Sequence, residues 1–242
     1  CLNFEEAARL FGRVGGFSYI KTLVDKLRSE RPGALLLDGG DTWQGSGTAL
    51  WSQGQDMVDA CLLLGVDVMT AHWEMTLGAE RVKHIVGNDF SGRIDFLAQN
   101  VKTFDFDEPV FESFSIKEMN GIPIAVIGQA FPYTPISNPS HLIPDWSFGI
   151  REYELQQLVN RIREQGIKVV VLLSHNGMDV DLKLASRVTG IDAILGGHTH
   201  DGMPVPVIVA NRAGKTIVTN GGSNGKFLGV LDFAVTASGI ED

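Results

Sequence analysis

Cysteine is nearly absent: Cys1 and Cys61 are the only two, and they stand in no CxxC or finger-like spacing. That excludes a disulfide scaffold and a zinc knuckle and leaves the redox compartment unread. Long apolar runs are missing as well, since the longest, such as Val169 to Leu173, reach about five residues against the roughly 20 needed to cross a bilayer. Positive charge is scarce and unclustered. With 20 Lys+Arg against 29 Asp+Glu the net charge is −9, which leaves no electrostatic footprint for nucleic acid or an anionic membrane surface. A basic segment followed by an apolar targeting segment is also lacking. The chain opens on Cys1 and enters a helical pattern within a few residues, so it reads as an internal fragment.

What is present is 242 residues, 44% of them hydrophobic, enough for one large α/β domain that buries roughly 70–75% of its unfolded surface. The 28 glycines cluster just after short apolar runs and mark strand-end turns. The spacing predicts a helix over Phe4 to Glu30 interrupted at Gly15-Gly16, a strand at Ala34 to Leu37, a helix from Thr48 to Leu64 and a strand at Val66 to Thr70. A helix near Gly78 to Val86 and a strand at Ile94 to Ala98 follow. Val110 to Met119 and Ile122 to Gly128 read as a hairpin, because Asn120-Gly121 supplies the positive φ angles of a tight turn. Gln129 to Phe148, with its prolines, reads as a long loop. A helix over Arg151 to Gln165 precedes the strand Lys168 to Leu173, whose unbroken apolar run implies burial on both faces. Next come a helix over Asp179 to Val188, a strand at Ile191 to Leu195, and β-rich runs at Val205 to Ala210, Thr216 to Thr219 and Phe227 to Val235. Strands alternating with helices and ending in a strand-rich tail argue a mostly parallel sheet with antiparallel additions.

Metal-type side chains gather where an open α/β sheet places its ligands, at the C-terminal ends of strands. Asp41 follows one strand in GGDTWQGS, His72 another in TAHWE, His175 a third in LLSHNG, and His198 with His200 a fourth in LGGHTH. Imidazole plus carboxylate is the ligand set of zinc, manganese or iron, and the adjacent glycines let the backbone turn the side chains inward. Each motif alone is weak. Four in order, each after a strand, form a much stronger signal. His84, in a helical pattern, and His141, in the Pro-rich loop, lack that context. Ser46 reads as a helix cap, and Asp38 and Asp192 as acceptors of backbone amides.

As an ordered set, GDTWQGS, HWE, LAQN, SHNG and GGHTH resemble the calcineurin-like metallophosphoesterases of the 5′-nucleotidase type, from Gly15 onward. That family has DxH on its first strand, then GD, NHE, a single His, and GHxH or GHxQ around two metals. Where nucleotidases read GNHEFDYG this chain reads AHWEMTLG, so the ligand Asn becomes His72, the neighbouring His that assists phosphoryl transfer becomes Trp73, and its Asp partner becomes Thr76. Within the family, that pattern looks like the SoxB thiosulfohydrolases, dimanganese enzymes of periplasmic sulfur oxidation.

The resemblance implies an α/β fold, a sheet sandwich flanked by helices (α/β/β/α). It implies one partial catalytic domain over residues 1–242, incomplete at the N-terminus because DxH would precede Cys1, and without the family's C-terminal domain. Asp41 would bridge two divalent ions, manganese by resemblance, although histidine-rich sites suit zinc equally. His72, His175 and His198 would complete one site, with Asp41 and His72 serving catalysis through a metal-activated hydroxide, and His200 would join DxH at the other. The implied substrate is a sulfonated cysteine on a sulfur-carrier protein of the SoxYZ type, with sulfate released. No nucleic-acid or membrane partner is expected. Trp43 and Trp73 are candidate walls of the site, with plain packing as the alternative. Glu74 is a candidate to orient His72, and Asn100 to support the site, each with a structural hydrogen bond as the alternative. A 5′-nucleotidase or related phosphoesterase is the second reading, and a catalytically silent metal-binding or carrier-docking module the third.

Overall fold

The computed structural model describes residues 4–12, 14–236 and 239–241. Two sheets organise them. The first is parallel throughout, β1 (Leu37–Asp38), β2 (Val68–Met69) and β3 (Asp95–Phe96) in that order, with Leu37 opposite Val68 and Val68 opposite Asp95. The second contains β4 (Phe114–Met119), β5 (Ile122–Gln129), β6 (Val169–Ser174), β7 (Ala193–Gly196), β8 (Val207–Asn211) and β9 (Gly214–Asn220). Its order is β8-β9-β7-β6-β5-β4; the inner four strands run parallel, and β8 and β4 pair antiparallel at the edges.

Side chains that alternate along these strands separate the layers. Val68, Leu97, Val126 and Leu173 meet between the two sheets, joined by Leu37, Ile124 and Leu195. Their neighbours in the chain face outward. Met69 packs with Ile20 and Val24 of α1 (Phe17–Glu30) and with Val58 and Cys61 of α2 (Gln55–Leu64). Val170, Leu172 and Ile194 pack under Leu155, Leu158, Val159 and Ile162 of α3 (Glu152–Glu164) and Leu184 of α4 (Met178–Arg187). The result is the helix–sheet–sheet–helix sandwich that the motif order implied. All six residues of β6 are buried, as its apolar run required. The hairpin turns at Asn120 (φ 51°) and Gly121 (φ 77°).

Two expectations need correction. The helix expected over Thr48 to Leu64 is two, Gly47–Ser52 and Gln55–Leu64, because Gln53 and Gly54 both adopt left-handed φ angles of 52° and 78°. The helical stretch expected over Phe4 to Glu30 with an interruption at Gly15-Gly16 is observed in that form, as Phe4–Phe11 and Phe17–Glu30. Phe227 to Val235 is not a strand; regular structure there begins at Val235–Thr236. That segment is held by other contacts: the Phe227 ring lies against Gly202 and Gly222, and Asp232 takes a bidentate pair from Arg31. Among the described residues no helix is long and apolar enough to cross a membrane.

Candidate metal centre

Four strand ends from both sheets bring Asp41, His72, His175 and His198 together. One ligand atom from each lies within 4.8 Å of the others. Asp41 follows β1 and His72 follows β2 of the first sheet; His175 follows β6 and His198 follows β7 of the second. The loops bearing Asp41 and His72 touch backbone to backbone. A Cβ on Gly40 would lie 2.8 Å from Thr70 O and 2.9 Å from Ala71 Cα, and Gly40 has φ 91°, so the GGD sequence needs glycine there for both space and conformation. Asp41, His198 and His200 themselves hold positive φ angles of 67°, 72° and 60°. Non-glycine residues pay a conformational penalty in that region, and their concentration here marks a site that the surrounding fold holds in place.

Glu74 carries the local architecture. It is fully buried and its carboxylate accepts four backbone N–H groups: Asp41 at 3.1 Å and His72 at 2.7 Å on Oε2, Thr42 at 2.6 Å and Trp43 at 3.4 Å on Oε1. The two loops of the first sheet are thereby tied to one anion. Asp41 Oδ1 also accepts the Trp73 N–H at 3.0 Å. Asp38 holds the same loop from below through Gly40 N and Thr42 Oγ1, and burial pushes its pKa up to about 6.

The carboxylate of Asp41 faces an imidazole on each side, His72 Nδ1 3.3 Å from Oδ1 and His175 Nε2 3.3 Å from Oδ2. Burial raises the Asp41 pKa, but the imidazoles of His175 and His72 on either side outweigh it and hold the group well below the usual carboxylate range. Burial lowers the His175 pKa, and Asp41 more than offsets this, so the net shift is upward. His198 is held down to about 4, by burial first and then by its two imidazole neighbours, and is therefore neutral near pH 7 with a free lone pair. His72 Nδ1 and Nε2 and His175 Nε2 are buried without a hydrogen-bond partner. Ring nitrogens left bare beside a carboxylate are what a divalent cation would satisfy, and three imidazoles with one carboxylate suit zinc, manganese or iron alike. The residues fit a divalent metal ion.

The other expected residues are placed as follows. His200 is exposed and stands outside the four-residue cluster. Trp73 lies against His72, the ring centroids 4.7 Å apart and the planes tilted by 32°. Trp43 turns away from the site; it is fully buried against Phe90 and Phe96, so its side chain packs the core and walls no cleft. Asn100 pins three loops, donating to Ala130 O and Gly149 O and accepting Ala130 N–H. His84 and His141 lie on other elements, Ala79–His84 and Ser140–Leu142.

Sequence reasoning missed two features. Phe131, just past β5, stacks on His198 and lies against His72; an aromatic after an apolar strand reads as core, and only the tertiary fold sets it against the ligands. The second is a buried polar network under the His175 loop. Asp181 Oδ1 accepts Ser174 Oγ at 2.6 Å and Asn176 Nδ2 at 3.2 Å, and Asn176 Nδ2 also reaches Gln129 Oε1 at 2.6 Å. The polar letters of SHNG and of GQA were its signal, since polar residues flanking buried strands need partners.

No family model matches the chain. Among solved structures it is similar to the sulfate thiohydrolase SoxB of Thermus thermophilus, with a TM-score of 0.91 and 40% identity over 100% of this chain and 44% of that one. It is also similar to a 5′-nucleotidase precursor from the same organism, with a TM-score of 0.83 and 26% identity over 94% of this chain and 47% of that one. The rat 5′-nucleotidase is 28% identical over 247 residues, 90% of this chain and 40% of its own length. The chain thus spans about two fifths of the curated relatives it matches. The fold is that of the calcineurin-like phosphoesterases, and throughout its length the chain resembles the SoxB and 5′-nucleotidase type.

Proposed function

We propose that this chain, with its calcineurin-like phosphoesterase fold and its likeness to SoxB, is the metal-binding part of a periplasmic hydrolase that releases sulfate from a cysteine-linked thiosulfonate on a sulfur-carrier protein. The observation that carries the metal part is the convergence of Asp41, His72, His175 and His198 from four strand ends of two sheets. Bound divalent ions supply Lewis acidity, making water nucleophilic near neutral pH and offsetting the charge of an anionic electrophile. In this reading they are two manganese ions. Asp41 offers an oxygen to each side, His72 and His175 flank it, and His198 stands neutral and ready to ligate.

The choice of substrate rests on Trp73 and Thr76. They stand where the resemblance places the His-Asp pair of the nucleotidases, and neither can act as a general acid. An alkoxide leaving group benefits from such an acid. A persulfide does not need it: as the hydroxide oxygen bonds to the sulfonate sulfur, the S–S bond breaks and its electron pair leaves on the terminal sulfur of the persulfide. The 40% identity to SoxB, against 28% to the rat 5′-nucleotidase, supports the same choice. The nucleotidase reading is kept as second because the curated relatives carry that name.

The test is a pair of assays on the metal-loaded protein that carries this chain: sulfate release from a thiosulfonated carrier, and phosphate release from adenosine monophosphate. Sulfate release with poor nucleotide turnover is expected, and Asp41→Ala should abolish it and reduce metal loading. Efficient hydrolysis of the nucleotide with no sulfate release would replace this reading with the nucleotidase one.

A further inference from the structure

We infer that Phe131 is a positioning residue for the metal centre, its ring face setting the orientation of the His198 and His72 imidazoles; this rests on reading the four-residue cluster as a metal site. A ligating imidazole is ordinarily turned by a hydrogen bond through its other ring nitrogen. His175 has one, Nδ1 against Gly39 O at 2.6 Å. His72 has none on either nitrogen, and among the described residues no hydrogen bond reaches the His198 ring. His198 moreover sits at φ 72° on a glycine-rich turn.

Nearer than His175 to either ring, and than Trp73 to His72, the ring nearest to both among the described residues is Phe131. Its centroid lies 4.0 Å from that of His198 with the planes 26° apart, and 4.2 Å from that of His72 at 49°. The ring is itself held. Phe131 is 8% exposed, its N–H donates to Ala71 O at 3.0 Å, and its carbonyl accepts Thr134 Oγ1 at 2.7 Å. Asn100 pins the preceding Ala130 by two hydrogen bonds, and Tyr133 meets the Phe131 ring edge-on at 5.7 Å. A fixed plane stacked on an imidazole leaves it few rotations, which replaces the missing hydrogen bond. The substitution that separates orientation from simple filling of space is Phe131→Leu, apolar but without a plane.

The experiment titrates Co(II) into wild-type protein, Phe131→Leu and Phe131→Tyr, reading visible absorption for ligand geometry and calorimetry for affinity, with thermal unfolding of the metal-free forms alongside. Phe131→Leu should bind about tenfold more weakly, the lower end of what loss of an orienting partner costs. Its absorption band should change while its metal-free unfolding temperature stays close to that of wild type, and Phe131→Tyr should restore both affinity and band. If Phe131→Leu does not fold, Phe131→Met carries the same comparison. Wild-type affinity and spectrum in the ringless variant, or equal loss in the Leu and Tyr variants, overturns the inference and leaves the metal reading standing. A wild type that takes up no Co(II) overturns the metal reading and the inference with it.

Discussion

Four N–H groups converging on one side chain make Glu74 the residue whose loss the site would feel most after the ligands themselves. Glu74→Ala strands those donors in a dry interior, at about 1–3 kcal/mol for each buried group left unpaired. We expect a destabilisation of at least about 3 kcal/mol by urea unfolding, together with weaker metal uptake; an effect below about 1 kcal/mol would mean that water reaches these amides. Asp181 allows a test by pH. Burial raises its pKa to about 7. A carboxyl that is harder to ionise folded than unfolded takes stability away as pH rises from about 4, its unfolded value, to about 7, and above that the loss is complete. Asp181→Asn should therefore flatten the fall in unfolding free energy between about pH 4 and about pH 7; an unchanged slope would show that Asp181 ionises freely in the fold. At this scale the sequence was partly legible. Asp41, His72, His175 and His198 each stood after a recognisable strand with glycine beside three of them. For Trp43 the choice between wall and packing stayed open, because its distance along the chain from Asp41 says nothing of which face of the loop it leaves by.

Elements were legible where one local rule decides them. Asn120-Gly121 dictates its turn, and the apolar run of β6 dictates a strand buried on both sides. They were hidden where tertiary contact decides. Gln53 and Gly54 break a helical pattern that is otherwise continuous, and the 227–234 segment trades strand pairing for contacts with Gly202, Gly222 and Arg31. Gly128 in β5 is another such place. A Cβ there would sit 2.2 Å from Leu97 O and 2.4 Å from Leu97 Cβ, where β5 runs beside the continuation of β3 and Gln99 N–H donates to Gly128 O at 2.8 Å. Neither backbone can yield without parting the sheets. Gly128→Ala should cost about 1–3 kcal/mol or more, the range for overpacked sites, and should lower the denaturant midpoint with the slope unchanged. A neutral substitution would show that the two sheets slide apart easily at that corner.

For the whole molecule, the number of ions follows from how many side chains converge. Among the described residues one group of four reaches a common point, and His200 stands exposed outside it. Elemental analysis of the purified 242-residue chain should find about one tightly held divalent ion; two would mean that other side chains complete a second set. The four ligands also divide evenly between the sheets, two carried by the first and two by the second. An ion among them would act as a rivet through the sandwich, gripping layers that also meet through apolar side chains such as Val68, Leu97, Val126 and Leu173. Metal supply and mechanical cohesion then become one variable. Free ion at a hundred times its Kd adds about 2.7 kcal/mol. At roughly 2–4 °C per kcal/mol for a chain of this size, a chelator should lower the unfolding temperature by ~5–11 °C, and Asp41→Ala, unable to be riveted, should melt at the same temperature with or without it.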